Sequence, residues 1–169
     1  LLGFILVDLI DAYLRTSAVI AGTTILFGFV LFLATLKYPH KTQIDEITLR
    51  DALLIGLAQS LALIPGTSRS GITISVGLFL GLDNKTASKF SFLMAVPTIG
   101  AIAAYQLFTT DVQFLIQHFD INLLGLIISF IIAYVTIDFF IKFINRIGFL
   151  PFILYRIILG AALFSLILQ

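Results

Sequence analysis

The chain has 169 residues, 60% hydrophobic and only 11% charged, with a mean hydropathy of +1.13. Soluble domains carry about 25% charged residues, so a soluble fold is excluded and the chain is read as an all-α, polytopic membrane helical bundle. It contains no Cys, which rules out disulfides, thiol chemistry and a thiolate metal site. A net charge of +1 gives no reason to expect nucleic acid as a partner, but the placement of the charges is informative.

Residues 1–7 are apolar, followed by Asp8, Asp11 and Arg15. They read as the last turns of a span whose beginning is absent, so the chain is expected to be an N-terminally truncated piece, with residues 1–169 forming a single membrane domain. No signal-peptide pattern is visible. Asp11 and Arg15 are spaced i,i+4 and are expected to pair. Residues 17–36 lack any charge and suit one transmembrane helix. Within them Gly22, Thr23, Thr24 and Gly28 are small enough to permit close helix contact. Residues 37–47 are polar and form a loop, broken at Pro39.

Thr48 and Asp51 form a capping-box pattern that starts a helix expected to run to about Ile64. A second helix is expected over residues 72–82. At 1.5 Å per residue these reach only about 24 Å and about 16 Å, short of a hydrocarbon core of about 30 Å. Together they are either one broken span or a re-entrant hairpin over residues 48–82. Spans follow at about 90–108, with a bend expected at Pro97, at 123–141 and at 150–168.

Charge placement chooses between the two readings. With a hairpin, Lys37, Lys41, Arg50, Lys85, Lys89, Lys142 and Arg146 share one side, and the loop at 109–122, free of Lys and Arg, lies opposite. That is a positive-inside pattern, so the hairpin is expected to enter from the cytoplasm and the C-terminus to lie outside. A broken span would scatter the same charges. Asp138 and Lys142 are read as an i,i+4 ion pair, and His40 and His118 as loop residues without a functional partner. Gln59 and Ser60 are expected to support the hairpin loop.

The loop itself is Pro65-Gly66-Thr67-Ser68-Arg69-Ser70-Gly71. Pro lacks an N–H and the glycines are permissive, so the stretch resists helix formation. It makes a good anion cradle: successive N–H groups converge, three hydroxyls donate and Arg69 offers a fork to phosphate oxygens. The following helix N-terminus points at the same place. An ordinary turn is the plain alternative, but an ionisable group at membrane depth is a functional-site hypothesis by default. An anionic headgroup joined to a lipid tail fits a polar loop in apolar surroundings. Phosphoryl chemistry also needs an acid or base and often a metal. The sequence shows neither buried carboxylate pairs nor a His at membrane depth, so it reads as half an active site.

The run from Leu63 to Ser75 closely resembles the second signature of the bacterial undecaprenyl-diphosphate phosphatase family, also called bacitracin-resistance proteins. The stretches from Ala87 to Pro97 and from Phe149 to Arg156 resemble it too, so the likeness covers essentially the whole chain. The resemblance implies hydrolysis of the terminal phosphate of a C55 isoprenyl diphosphate, recycling the carrier lipid for peptidoglycan synthesis and conferring bacitracin resistance. It implies a multi-pass plasma-membrane enzyme with inverted repeats, two re-entrant regions and a site open to the extracytoplasmic face. It implies catalytic roles for Arg69, Ser68 and Thr73, with Gly66, Thr67, Ser70 and Gly71 binding the substrate phosphate. It also implies a divalent cation, Mg or Ca, whose ligands are expected in the absent N-terminal half, since the family's acidic pair and His match no position here. The chain alone is expected to be inactive, and oligomerisation is left open. The Ser-Arg/His pattern of vanadium-haloperoxidase-like lipid phosphatases is absent, since no His follows Arg69 until His118. A polyprenyl-phosphate transporter or flippase is the alternative, because broken helices at the midplane are also a transporter device.

Overall fold

The computed structural model describes residues 14–110, 113 and 117–168. The expected span remnant at 1–7, the Asp11–Arg15 pair and part of the 109–122 loop lie outside those residues. The described chain is helical throughout, joined by short turns. Helix α1 is Ser17–Thr35, α2 is Leu49–Gln59, α3 is Arg69–Phe79, α4 is Asn84–Thr109, α5 is Phe119–Ile147 and α6 is Leu150–Ile167. Four of them, α1, α4, α5 and α6, are long and apolar enough to cross a membrane. Their outward faces carry Leu, Ile, Val and Phe side chains, as a lipid-facing surface requires. The protein is a multi-pass membrane protein.

Local sequence sets the ends of these helices. Thr16 caps α1 by accepting from the Val19 N–H at 3.3 Å. Asp83 caps α4 by accepting from the Thr86 N–H at 2.7 Å, so that helix starts before its apolar stretch does. Pro97 lies inside α4 and the helix continues through it. The Thr48–Asp51 capping box forms at the start of α2. Two boundaries differ from expectation. Helix α2 ends at Gln59 and gives way to a 3-10 turn at Ser60–Leu63, because Pro65 disfavours helical backbone at Ile64 and the last turn tightens. Helix α3 begins at Arg69 rather than near Ile72, because Ser68 caps it.

Helices α1 and α6 pack antiparallel along a line of small residues. Gly28 meets the Arg156 side chain, Ala21 and Ile25 meet Gly160, and Gly22 meets Phe164. A Cβ built on Gly160 would lie 3.0 Å from the Ala21 carbonyl oxygen and closer still to Ile25. The backbones therefore approach as closely as glycine permits. A second contact set joins α1, α3, α4, α5 and α6 through Leu31, Ile74, Leu78, Ala87, Ile144 and Ile153. Beside it, Phe140 meets Phe92 and Phe152 edge-on, with centroids 5.4 and 5.2 Å apart, a favoured aromatic geometry.

Helices α2 and α3 form a hairpin whose two open ends meet at Lys41. Its ammonium bonds the Asp51 carboxylate at 2.6 Å, its N–H bonds the Gly81 carbonyl at 2.9 Å, and its carbonyl accepts from Asp83. The tip of the hairpin lies against Ile20, Thr23 and Thr24 of α1, far from the Lys41 end. Asn145 and Asn84 gather with Thr35 and Lys37 at that same Lys41 end. Asp138 and Lys142 pair at 2.6 Å on the exposed face of α5. His40 is exposed and its ring packs on Gly81.

Two outcomes follow from this packing. Gly160→Ala forces α1 and α6 apart and is expected to cost about 1–3 kcal/mol, read as a lower thermal midpoint in detergent; an unchanged midpoint would show the close approach is not needed. Asp51 is held at a pKa of about 2, below its usual 3.8, chiefly by the Lys41 hydrogen bond, with burial opposing and Thr48 assisting. The folded-state value is depressed, so this contribution is present above pH 4 and fades as pH falls from about 4 to about 2. Asp51→Asn should flatten that acid limb of the stability curve while leaving the fold in place.

Candidate functional site

The tip of the hairpin, Ile64 to Ser68, is non-helical backbone surrounded by apolar helices, so each of its carbonyls needs a donor. All have one. The Ile64 carbonyl accepts from Thr67 N–H at 3.2 Å and the Ser68 carbonyl from Ile72 N–H at 3.1 Å. The Pro65 carbonyl accepts from the Thr23 hydroxyl at 2.6 Å. The Gly66 carbonyl accepts from Arg156 Nη2 at 2.8 Å and from the Thr24 hydroxyl at 3.4 Å. The Thr67 carbonyl accepts from the same Nη2 at 3.1 Å. Arg156 also donates from Nε to the Thr24 carbonyl at 3.3 Å. One guanidinium on α6 thus ties the loop to α1.

The donors are used differently. Among the described residues the N–H groups of Gly66, Ser68, Arg69 and Ser70 have no protein acceptor; Thr67 N–H is taken by the Ile64 carbonyl and Gly71 N–H by the Ser68 hydroxyl, each at 3.2 Å. Acceptors are consumed and donors are left over at the N-terminus of α3, where the helix dipole adds positive potential. The Arg69 guanidinium is half-buried and has no partner among the described residues.

Two backbone positions show what this arrangement costs. Gly66 has φ +88°, and a Cβ there would collide with Thr23 Oγ1 and the Ile20 carbonyl, so only glycine fits. Ser68 has φ 67°, the left-handed region that disfavours a side chain at a cost of about 1–3 kcal/mol. Its hydroxyl caps α3 from that position. Thr67 is fully buried and its hydroxyl has no hydrogen-bond partner among the described residues.

The candidate residues do not all converge. Ser68, Ser70, Gly71 and Arg156 line a cavity of about 260 Å³, whose other walls are Leu31, Ile74, Phe140, Phe149, Phe152 and Tyr155. The lining is thus partly polar and partly aromatic. Arg69 does not line it. Thr73 is 2% exposed, and its hydroxyl meets Ser91 Oγ at 2.7 Å and the Arg69 carbonyl at 3.0 Å. It braces the first turn of α3 against α4. Gln59 and Ser60 do not support the loop as expected: Gln59 donates to Thr98 of α4 and Ser60 to the Leu57 carbonyl. Arg156 was the unassigned member. Its signal in the sequence is a lone cation placed well inside an apolar span.

A divalent cation prefers carboxylate, carbonyl and water oxygens. The loop offers hydroxyls, N–H groups and guanidinium, and its carbonyls are already bonded. Among the described residues no three His, Asp or Glu side chains gather to hold a metal. The described site therefore does not fit the cation.

The comparisons with known proteins agree on one family. The model of the bacitracin resistance protein BacA family matches residues 1–162. The undecaprenyl-diphosphatase 1 of Pseudoalteromonas translucida is 45% identical over 96% of this chain and 61% of its own length. The undecaprenyl-diphosphatases of Saccharophagus degradans and Teredinibacter turnerae are 44% and 45% identical, over 99% and 97% of this chain and 63% and 62% of theirs. The chain thus spans somewhat over three-fifths of the length of these relatives. With its signature loop at the tip of the hairpin and its family model matched nearly end to end, the chain belongs to the bacitracin resistance protein BacA family.

Proposed function

We propose that the whole protein hydrolyses undecaprenyl diphosphate to undecaprenyl phosphate and inorganic phosphate, with this chain supplying the phosphate-binding loop. In the net reaction water adds across the anhydride P–O bond: one oxygen stays on the lipid monophosphate, and the water oxygen ends on the released inorganic phosphate. The reaction recycles a carrier lipid for peptidoglycan synthesis and underlies bacitracin resistance. The observation that carries this reading is the loop's imbalance: every tip carbonyl is bonded, and the N–H groups of Ser68, Arg69 and Ser70 have no acceptor among the described residues. Such a surplus of fixed donors suits an oxyanion whose charge redistributes during reaction.

Each residue then has a part. Arg69 stands on the first turn of α3 and neutralises the terminal phosphoryl group as its charge moves. Ser68, Ser70 and the N–H groups beside them orient the phosphate oxygens, and Gly66 and Gly71 let the backbone come close. Thr73 acts through position, by holding the turn that carries Arg69. A divalent cation, Mg or Ca, would be held by the part of the whole protein beyond this chain, and no step is routed through it. The Lys- and Arg-rich end of the bundle is placed at the cytoplasmic face of the plasma membrane, which leaves the hairpin tip open toward the extracytoplasmic side.

Two variants of the full-length protein test the reading. Arg69→Ala is expected to lower phosphate release from a prenyl diphosphate by about a hundredfold or more, with expression and thermal midpoint near wild type; near-normal turnover would refute the role. Ser68→Gly relieves the left-handed backbone while losing the hydroxyl, and glycine gives up only a few tenths of a kcal/mol as a cap. It should hold or raise the thermal midpoint and lower turnover about tenfold. If activity persisted, the strain at Ser68 would serve the fold and not the reaction.

A further inference from the structure

Arg156 has five N–H groups in a rigid fork. Three point at protein acceptors: Nε at the Thr24 carbonyl, and Nη2 at the Gly66 and Thr67 carbonyls. Nη1 has none among the described residues. It lies beside Gly71, 3.6 Å from where a Cβ would stand, and Gly71 and Arg156 both line the cavity with the aromatic wall. Nη1 is therefore spare and lies close to Gly71 in the first turn of α3. Arg69 does not line that cavity. The two cations serve different places.

A lipid diphosphate has two phosphoryl groups, and only one carries the hydrocarbon. The cavity that Arg156 lines is also walled by Phe140, Phe149 and Phe152, surfaces that suit hydrocarbon. We propose that Arg156 Nη1 holds the lipid-bearing phosphoryl group, while Arg69 faces the terminal one. This rests on the hydrolase reading for the identity of the substrate. It adds that Arg156 is both the clamp that shapes the loop and a direct ligand of the phosphate that stays with the product.

The product separates the two cations, since prenyl monophosphate keeps the inner phosphate and inorganic phosphate is the outer one. Binding of farnesyl monophosphate and of inorganic phosphate is measured by titration into detergent-solubilised full-length protein, with no turnover required. Arg156→Lys keeps a charge but loses the fork, and Arg69→Lys does the same to the other cation. Arg156→Lys should weaken farnesyl monophosphate about tenfold to a hundredfold and change inorganic phosphate by less than about threefold, whereas Arg69→Lys should weaken inorganic phosphate more than farnesyl monophosphate. Unchanged monophosphate binding in Arg156→Lys, or the same ligand preference lost in both variants, would overturn the assignment. So would equal weakening of both ligands with a lowered midpoint, which would make Arg156 a clamp only. Failure of the wild-type protein to release phosphate from farnesyl diphosphate would instead sink the hydrolase reading, and that result is read independently of the two titrations.

Discussion

A polar, non-helical loop can stand among apolar helices only if its carbonyls find donors. That constraint explains most of what surrounds the hairpin tip. Thr23 and Thr24 sit on α1 where they reach Pro65 and Gly66, and Arg156 sits on α6 where it reaches Gly66 and Thr67. For α6 to bring Arg156 that close, the α1–α6 seam must be narrow. Gly28 makes room for the Arg156 stem and Gly160 for Ile25. The small residues of the seam and the charge on α6 are two parts of one solution.

Satisfying the acceptors from outside has a consequence for the donors. Helix N-termini ordinarily leave N–H groups free, and a loop could quench them with its own carbonyls. Here the carbonyls are turned toward α1 and α6, so the N–H groups at the start of α3 stay open. The left-handed Ser68 is the hinge of that reversal. Its strain is held by neighbours that cannot easily move: the buried Thr67 before it, the Gly71 cap after it, and Thr73 pinned to Ser91 beneath the first turn. Rigid donors cost little reorganisation when an anion arrives.

Much of this was legible in the residues. Long apolar runs gave the four spans, the Thr48–Asp51 spacing gave the start of α2, and the Asp138–Lys142 spacing gave the ion pair. The clustering of Pro65, Gly66, Ser68 and Arg69 marked the loop. Less legible was what depends on distant partners. The loop's hold on α1 and α6 joins residues 42 and 90 positions apart, and no local pattern encodes that. The first turn of α3 was placed too late because Ser68 caps from a conformation that non-glycine residues rarely adopt. Gln59 looked like support for the loop because it is near in sequence, yet on its helix it faces Thr98 of α4.

The sorting of charge completes the argument. The described carboxylates with visible partners are engaged away from the tip: Asp51 with Lys41, Asp138 with Lys142, Asp83 and Glu46 as caps. At the tip, Arg69 and Arg156 have no acid beside them among the described residues. Arg156 is bonded to carbonyls only, through Nε and Nη2, which leaves its charge in place. A structural cation in an apolar setting would ordinarily be paired, because the unpaired state is costly. Two guanidinium groups with no acid beside them, next to N–H groups with no acceptor among the described residues, suit an anion. The proposed diphosphate, with charge on both of its phosphoryl groups, would answer both.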